Sequence, residues 1–60
     1  MFEPGTRVVG YTYTDEGRVR VEGVVVSRTE DPEELWQDYV VRDDAGTIHH
    51  CDEQEVRLSV

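Results

Sequence analysis

Polar and apolar residues alternate along most of the chain with the period of two that is typical of β-strands. The alternating segments are rich in Val, Tyr and Thr, which suit a pleated backbone. Five segments have this character: 6–14, 18–28, 38–42, 47–51 and 56–60. Turn-forming residues lie before or between them: Pro4-Gly5, Asp15-Glu16-Gly17 and Asp43-Asp44-Ala45-Gly46. The pattern predicts an all-β domain of five strands.

The longest segment changes its apolar phase at Gly23. Because side chains alternate faces along a strand, such a change requires a bulge or a corner, and glycine has the permissive backbone for either. We therefore predict one long strand that bends at Gly23, with Val25 pointing outward. The residues expected to face the core on either side of the bend are Val19, Val21, Val24 and Val26.

The link between the second and third strands carries a helix-start pattern. Asp31 can cap free backbone amides, Pro32 suits the first helical position, and Glu33 and Glu34 lie at the positive end of the helix dipole. The pattern predicts one short helical turn near residues 32–37.

Two alternative registers are compatible with the sequence of the hairpin formed by the third and fourth strands. A four-residue loop places Tyr39 opposite His50 and Val41 opposite Ile48, which joins apolar residues on one face. A three-residue loop pairs Tyr39 with Cys51 instead and leaves Ile48 beside a charged residue. We prefer the four-residue loop.

The C-terminal part combines a polar link with a clean strand. Residues 52–55 are too polar for a core strand and fit a helical or turn-like connection. In the strand that follows, Val56, Leu58 and Val60 occupy alternate positions, so we expect all three to face inward.

The order of these elements resembles an SH3-like barrel of the Tudor or KOW type, over nearly the whole chain. The segments that carry the resemblance are Pro4-Gly5-Thr6-Arg7-Val8, Gly23-Val24-Val25-Val26, residues 39–46 and Glu55-Val56-Arg57-Leu58. The resemblance implies a single domain over residues 1–60, a five-stranded SH3-like small barrel. Families with this fold bind peptides, modified side chains, RNA or larger assemblies, so the resemblance narrows the fold more than the function.

Charge narrows the classes of partner. The 60 residues carry 14 acidic and 6 basic side chains, a net charge of −8, and every basic side chain is an arginine. The field should repel phosphate backbones and anionic lipid, so direct nucleic-acid binding is not expected. The loops are acidic, unlike the basic loops of RNA-binding KOW modules. Arginine without lysine also hints at a GC-rich genome and hence at a small bacterial protein.

Length and cysteine content set further expectations. A domain of this size buries only about 60% of the surface of its unfolded chain, and one cysteine allows no internal disulfide. Self-association is therefore one way to gain stability. No apolar run is long enough to span a bilayer, and the first residues do not resemble a signal peptide, so we expect a soluble, cytoplasmic protein.

The segment His49-His50-Cys51-Asp52 is the one place where metal binding or catalysis comes into question. On a strand no face of this segment offers more than two ligands, whereas a zinc site needs three or four. Adjacent strand positions also do not assemble a nucleophile, its base and an oxyanion site. We expect no metal, no cofactor and no enzymatic activity, with His50 packed near Tyr39 and Cys51 as a small apolar filler.

Trp36 is the strongest candidate for partner binding. It lies where an acidic loop enters a strand, and a partly exposed tryptophan is a frequent interface anchor, although it could equally close one end of the barrel. Peptide-binding SH3 domains likewise carry loop aromatics beside an acidic loop. Such a rim would attract a basic peptide or protein surface by steering and by cation–π contact. The predicted partner-binding residues are Tyr11, Tyr13, Asp15, Glu16, Glu33, Glu34 and Trp36.

These observations favour a non-enzymatic protein-interaction module that docks on a basic protein surface or peptide. A second hypothesis is an acidic nucleic-acid mimic that occupies the basic groove of a DNA- or RNA-binding protein. A third is a small homo-oligomeric protein whose Val-rich strand edge pairs across a two-fold axis.

Overall fold

The computed structural model describes residues 2–30 and 37–59. Its elements, in chain order, are β1 (Arg7–Thr14), β2 (Gly17–Glu30), β3 (Gln37–Asp43), β4 (Ile48–Asp52), a 3₁₀ turn (Glu53–Glu55) and β5 (Arg57–Leu58). The prediction of five strands is confirmed. The predicted helical turn lies outside the described residues except for Gln37, which begins β3. Neither described range contains a helix with the length and apolar character needed to cross a membrane.

The five strands form one antiparallel sheet in the order β4-β3-β2-β1-β5. The long strand β2 serves both halves of this sheet, because its first part pairs with β1 and its second part, from Gly23 onward, pairs with β3. Strands β4 and β5 lie at the two edges and, within the described ranges, do not pair with each other. The sheet is therefore open there, and the expected closed barrel is not seen.

A small core covers one face of the sheet. Its members, all nearly inaccessible to solvent, are Val8, Val21, Val25, Tyr39, Val41, Cys51 and Val56. Phe2 packs against this core from the N-terminal side. Its ring lies edge-on to Tyr39 with 5.7 Å between ring centroids, and its backbone amide donates to the Tyr39 hydroxyl at 3.0 Å. The chain thus folds its first residues over the sheet before β1 begins.

The predicted change of phase at Gly23 is wrong. β2 keeps a single phase through the glycine, and Val25, which was expected to point outward, is 2% exposed. The four residues predicted to face the core therefore divide: Val21 is buried, Val24 is half-buried, and Val19 and Val26 are exposed. The apolar run of valines misled the prediction, because only every second member of it faces the core.

The irregularity of β2 lies three residues beyond Gly23. Val25 pairs with Val41 and Ser27 pairs with Val40, so Val26 is an extra residue without a partner on β3. Such a bulge bends the strand and strengthens its twist. A bend in the long strand is therefore present, but Val26 supplies it.

Gly23 has a different structural role: it allows the backbones of β2 and β3 to come close to each other. A Cβ at this position would overlap the carbonyl oxygen of Arg42 and lie 2.9 Å from the Cα of Asp43. Gly23 and Val24 are the residues at which β2 pairs with both neighbours, and Gly23 lies between Val8 on β1 and Asp43 on β3. Only glycine has room between them.

The preferred register of the β3–β4 hairpin is also wrong. Tyr39 pairs with Cys51 and Arg42 pairs with Ile48, as the shorter loop requires. This register buries Tyr39 and Cys51 together in the core and leaves Ile48 half exposed. His50, which was expected near Tyr39, instead lies opposite Val40 on the outer face and is exposed.

The C-terminal link is confirmed as a short helical turn. Asp52 caps it by accepting a hydrogen bond from the Gln54 amide at 2.8 Å. Val56 is buried as predicted, and Cys51 fills the core as expected. Leu58, by contrast, is 55% exposed, because β5 is an edge strand of two residues and little of the chain covers it. Val60 lies outside the described residues.

Candidate functional site

Four of the predicted partner-binding residues lie together at the tip of the β1–β2 hairpin. Tyr11 and Tyr13 are on one face of β1, and Asp15 and Glu16 form the exposed turn to β2. The remaining predicted residues, Glu33, Glu34 and Trp36, lie outside the described residues.

Tyr13 joins this hairpin to the 3₁₀ turn. Its hydroxyl donates to Oε1 of Glu55 at 2.7 Å, while the ring stays 64% exposed. The other oxygen of Glu55 lies 3.7 Å from Nη1 of Arg18. The hydrogen bond to the carboxylate raises the pKa of the Tyr13 hydroxyl, since ionising it would place two negative charges together. Tyr13 therefore presents a neutral aromatic ring beside a carboxylate.

Tyr11 already has a cation on its ring. The guanidinium carbon of Arg18 lies 4.1 Å from the ring centroid, which is a cation–π contact within the chain. A basic side chain of a partner would have to displace Arg18 to use this face of Tyr11. Of the two tyrosines, Tyr13 is therefore the better placed to contact a partner.

Sequence reasoning missed a concentration of arginines on the outer face of the sheet. Val8 points into the core, so Arg7 and Val9 point away from it, and residues paired across antiparallel strands share a face. By this register the outer face holds five of the six arginines: Arg7, Arg18, Arg20, Arg42 and Arg57. We call these five residues the arginine face. The alternation of Arg18 and Arg20 was a visible signal, but the net charge of the whole chain concealed it.

Carboxylates lie within and beside the arginine face and pair with part of it, and Glu22 is on this face between Arg20 and Val24. Asp44 accepts two hydrogen bonds from Arg7, at 3.1 and 2.9 Å. Glu22 accepts one from the Ser59 hydroxyl at 3.0 Å and lies 3.4 Å from both Arg7 and Arg20. The Arg7 contact lowers the pKa of Asp44, and the Ser59 hydrogen bond, followed by the arginine charges, lowers that of Glu22. The face thus binds carboxylates from its own chain.

The histidine and cysteine segment has structural roles in the described part of the chain. Cys51 is fully buried, and burial raises the pKa of its thiol, which makes it a poor nucleophile. Nε2 of His49 lies 2.8 Å from Oδ2 of Asp43, so this pair closes the β3–β4 turn. Residues 2–30 and 37–59 form no pocket and contain no group of three or more His, Cys, Asp and Glu side chains that could hold a metal ion.

Asp43 makes the stability of the protein depend on pH. Its carboxylate accepts hydrogen bonds from His49 and from the amides of Thr47 and Ala45, and these contacts hold its pKa below the usual value. A lowered folded-state pKa contributes stability that is complete above the unfolded pKa, near 4, and is lost as the pH falls through the folded value. We expect Asp43→Asn to flatten the acid branch of a stability curve measured by urea unfolding between about pH 5 and 2.

Asp15→Asn is the matched control for this prediction, since Asp15 lies in an exposed turn and its side chain forms no hydrogen bond or ion pair with a described residue. An acid branch that is equally steep in the wild type and in Asp43→Asn would contradict the role of Asp43.

Comparisons of the chain with protein-family models, with curated proteins and with solved structures found no significant match.

Proposed function

We propose that the protein is a non-enzymatic interaction module, an SH3-like barrel that docks on a basic protein surface or a basic peptide. The docking surface is the acidic hairpin end, which consists of Tyr13, Asp15, Glu16 and Glu55; on the sequence alone we also assign Glu33, Glu34 and Trp36 to it. The observation that carries the proposal is the exposed ring of Tyr13 among these carboxylates.

The SH3-like assignment is supported by connectivity. Three features agree with the resemblance noted in the sequence: a terminal strand that returns to pair with β1, a long bent β2 that serves both halves of the sheet, and a 3₁₀ turn directly before β5. Strand β4 also packs near β1, which brings the two halves of the curved sheet toward each other. Closure of the barrel remains part of the proposal.

The distribution of charge supports a localised docking surface. Most carboxylates of the described residues lie in turns and at strand ends, whereas the outer face of β1 and β2 carries three arginines and one carboxylate, Glu22. A cation that approaches the acidic hairpin end meets Asp15 and Glu16 in the exposed turn and Glu55 at the hydroxyl of the exposed Tyr13. Such an arrangement combines long-range steering with a short-range aromatic contact.

The same distribution ranks the phosphate mimic second. A mimic would present carboxylates at regular spacing along one face, and the described carboxylates are instead split among separate turns.

The homo-oligomer hypothesis ranks third. The Val-rich strand β2 is interior, so strand pairing between copies would have to use the edge strand β4.

Binding of a fluorescein-labelled 12-residue peptide of alternating Arg and Gly, followed by fluorescence anisotropy, tests the proposal. We expect Tyr13→Ala, Trp36→Ala and the double variant Asp15→Asn/Glu16→Gln each to weaken binding at least fivefold, because they remove either the rings or the charges of one surface. The double variant Glu3→Gln/Asp44→Asn changes the net charge equally, away from the hairpin tip, and should weaken binding less than twofold.

Two results would overturn the docking surface. Equal weakening by both double variants would mean that only the overall charge matters, as a mimic would predict. Wild-type binding that persists at 0.5 M salt and is unaffected by the Tyr13 and Trp36 variants would place the contact elsewhere.

A further inference from the structure

The arginine face is a second charged surface, which adjoins the acidic hairpin end where Arg18 lies across from Tyr13 and beside Glu55, and its layout follows from the strand registers. Arg20 lies across from Tyr11, and Arg57 lies across from Val9, one step further along β1. Successive residues on one face of a strand are about 7 Å apart, and paired residues on adjacent strands are about 5 Å apart. The five arginines therefore lie on four adjacent strands, within an area about 20 Å long and about 15 Å wide.

Three of these arginines have little or no compensation of their positive charge by a described carboxylate. Arg42 and Arg57 form no ion pair with any described carboxylate, and Arg20 has only the long contact to Glu22, with a side chain that is 58% exposed. Nη1 of Arg57 donates to the backbone carbonyls of Gln54 and Val56, both at 3.0 Å. These bonds fix the direction of the guanidinium while leaving its other donors for a ligand.

The contacts of Arg7 and Arg18 within the chain indicate the kind of ligand that the arginine face can bind. Arg7 binds Asp44 through two parallel hydrogen bonds, which is the geometry by which a guanidinium group recognises a carboxylate. Arg18 lies over Tyr11 and near Glu55, so it is held in place without being buried. The face is thus partly preorganised by contacts within the chain.

Screening determines whether a chain of charge −8 can attract an anion here. At physiological ionic strength the Debye length is about 8 Å, similar to the spacing of neighbouring arginines on this face. An anion held against the unpaired guanidiniums therefore responds mainly to them and to Glu22, whose charge Arg7 and Arg20 already offset, while more distant acidic turns are largely screened. A long phosphate polymer would extend beyond the face and meet the flanking Asp44 and Glu55, and a second copy would bring its own charge of −8.

We propose that the arginine face binds a short carboxylate-rich segment of a partner protein. The segment places its carboxylates on Arg20, Arg42 and Arg57. This interaction goes beyond the docking of a basic partner at the acidic hairpin end, and the two surfaces would allow one small module to join two partners of opposite charge.

Anisotropy titration with a fluorescein-labelled 12-residue peptide of alternating Glu and Gly tests the proposal at 50 and 300 mM salt. We expect Arg20→Gln/Arg57→Gln to weaken binding at least fivefold at 50 mM salt and the wild type to lose most of its affinity at 300 mM. Val19→Glu/Thr29→Glu makes the same change in net charge, with the exposed Val19 on the opposite face of the sheet and Thr29 at the far end of β2, and should weaken binding less than twofold. Thermal unfolding confirms that each variant is folded.

Four results would overturn the proposal. These are equal weakening by both double variants, no binding of the peptide by the wild type, tighter binding of a labelled 12-nucleotide single-stranded RNA than of the peptide, and sedimentation of the free protein as a dimer that Arg20→Gln/Arg57→Gln dissociates. The last two would assign the face to phosphate or to a second copy. None of the four bears on binding of the arginine peptide at the acidic hairpin end.

Discussion

Replacing Gly23 with alanine is expected to destabilise the protein by about 3 kcal/mol, the upper end of what overpacking usually costs. The added methyl group would overlap the backbone carbonyl of Arg42, and relief requires β2 and β3 to separate where they pair. A domain of this size has a total stability of only about 3–9 kcal/mol. We expect the thermal midpoint, measured by circular dichroism, to fall by roughly 10–25 °C.

Gly10→Ala is the matched control, because Gly10 is also a buried glycine on an extended strand that faces the core. A Cβ there would lie 3.1 Å from Cβ of Cys51 and 3.1 Å from Cγ2 of Val56, which are side-chain atoms that can shift by a few tenths of an ångström. The loss should be about 1 kcal/mol. Equal losses in the two variants would contradict a special role for backbone contact at Gly23.

Local patterns predicted the strands of this protein well, because alternation, turn residues and capping residues act over a few positions. The turn at Asp15-Glu16, the hairpin turn that begins at Asp43 and the 3₁₀ turn capped by Asp52 all lie where the sequence placed them. Each depends on chemistry within about four residues, such as a side chain that accepts a nearby amide.

Choices that depend on distant contacts were not predictable in the same way. A glycine in a run of valines has two physical explanations, a change of phase or a close approach of another strand, and only the position of Arg42 on β3 decides between them. The hairpin register was a similar case. Pairing Ile48 with Val41 looked better locally, but burial of Cys51 beside Tyr39 depends on the whole core.

The candidate site was partly predictable. The sequence placed Tyr13, Asp15 and Glu16 close together, since they are neighbours at one turn. It did not reveal that Arg18 would cover Tyr11, or that Arg7 and Arg57 would lie on the same face as Arg20. A face is a property of strand pairing, so a net charge summed over the chain conceals it.

Replacing Tyr39 with alanine is expected to leave the protein largely unfolded at 25 °C. Tyr39 is the largest side chain of the core and is 3% exposed, and removal of a buried aromatic ring typically costs 3–5 kcal/mol. The ring also holds Phe2 through an edge-on contact and a hydrogen bond. That cost is comparable to the whole stability expected for 60 residues, so far-UV circular dichroism should report loss of the sheet.

Two controls separate the contributions of Tyr39. Tyr39→Phe keeps the ring and removes only the hydroxyl that accepts the Phe2 amide, so urea unfolding should register a loss of about 1 kcal/mol. Tyr13→Ala removes an exposed tyrosine from β1 and should cost about 1 kcal/mol or less. If Tyr39→Ala were as stable as Tyr13→Ala, the core could not be centred on Tyr39.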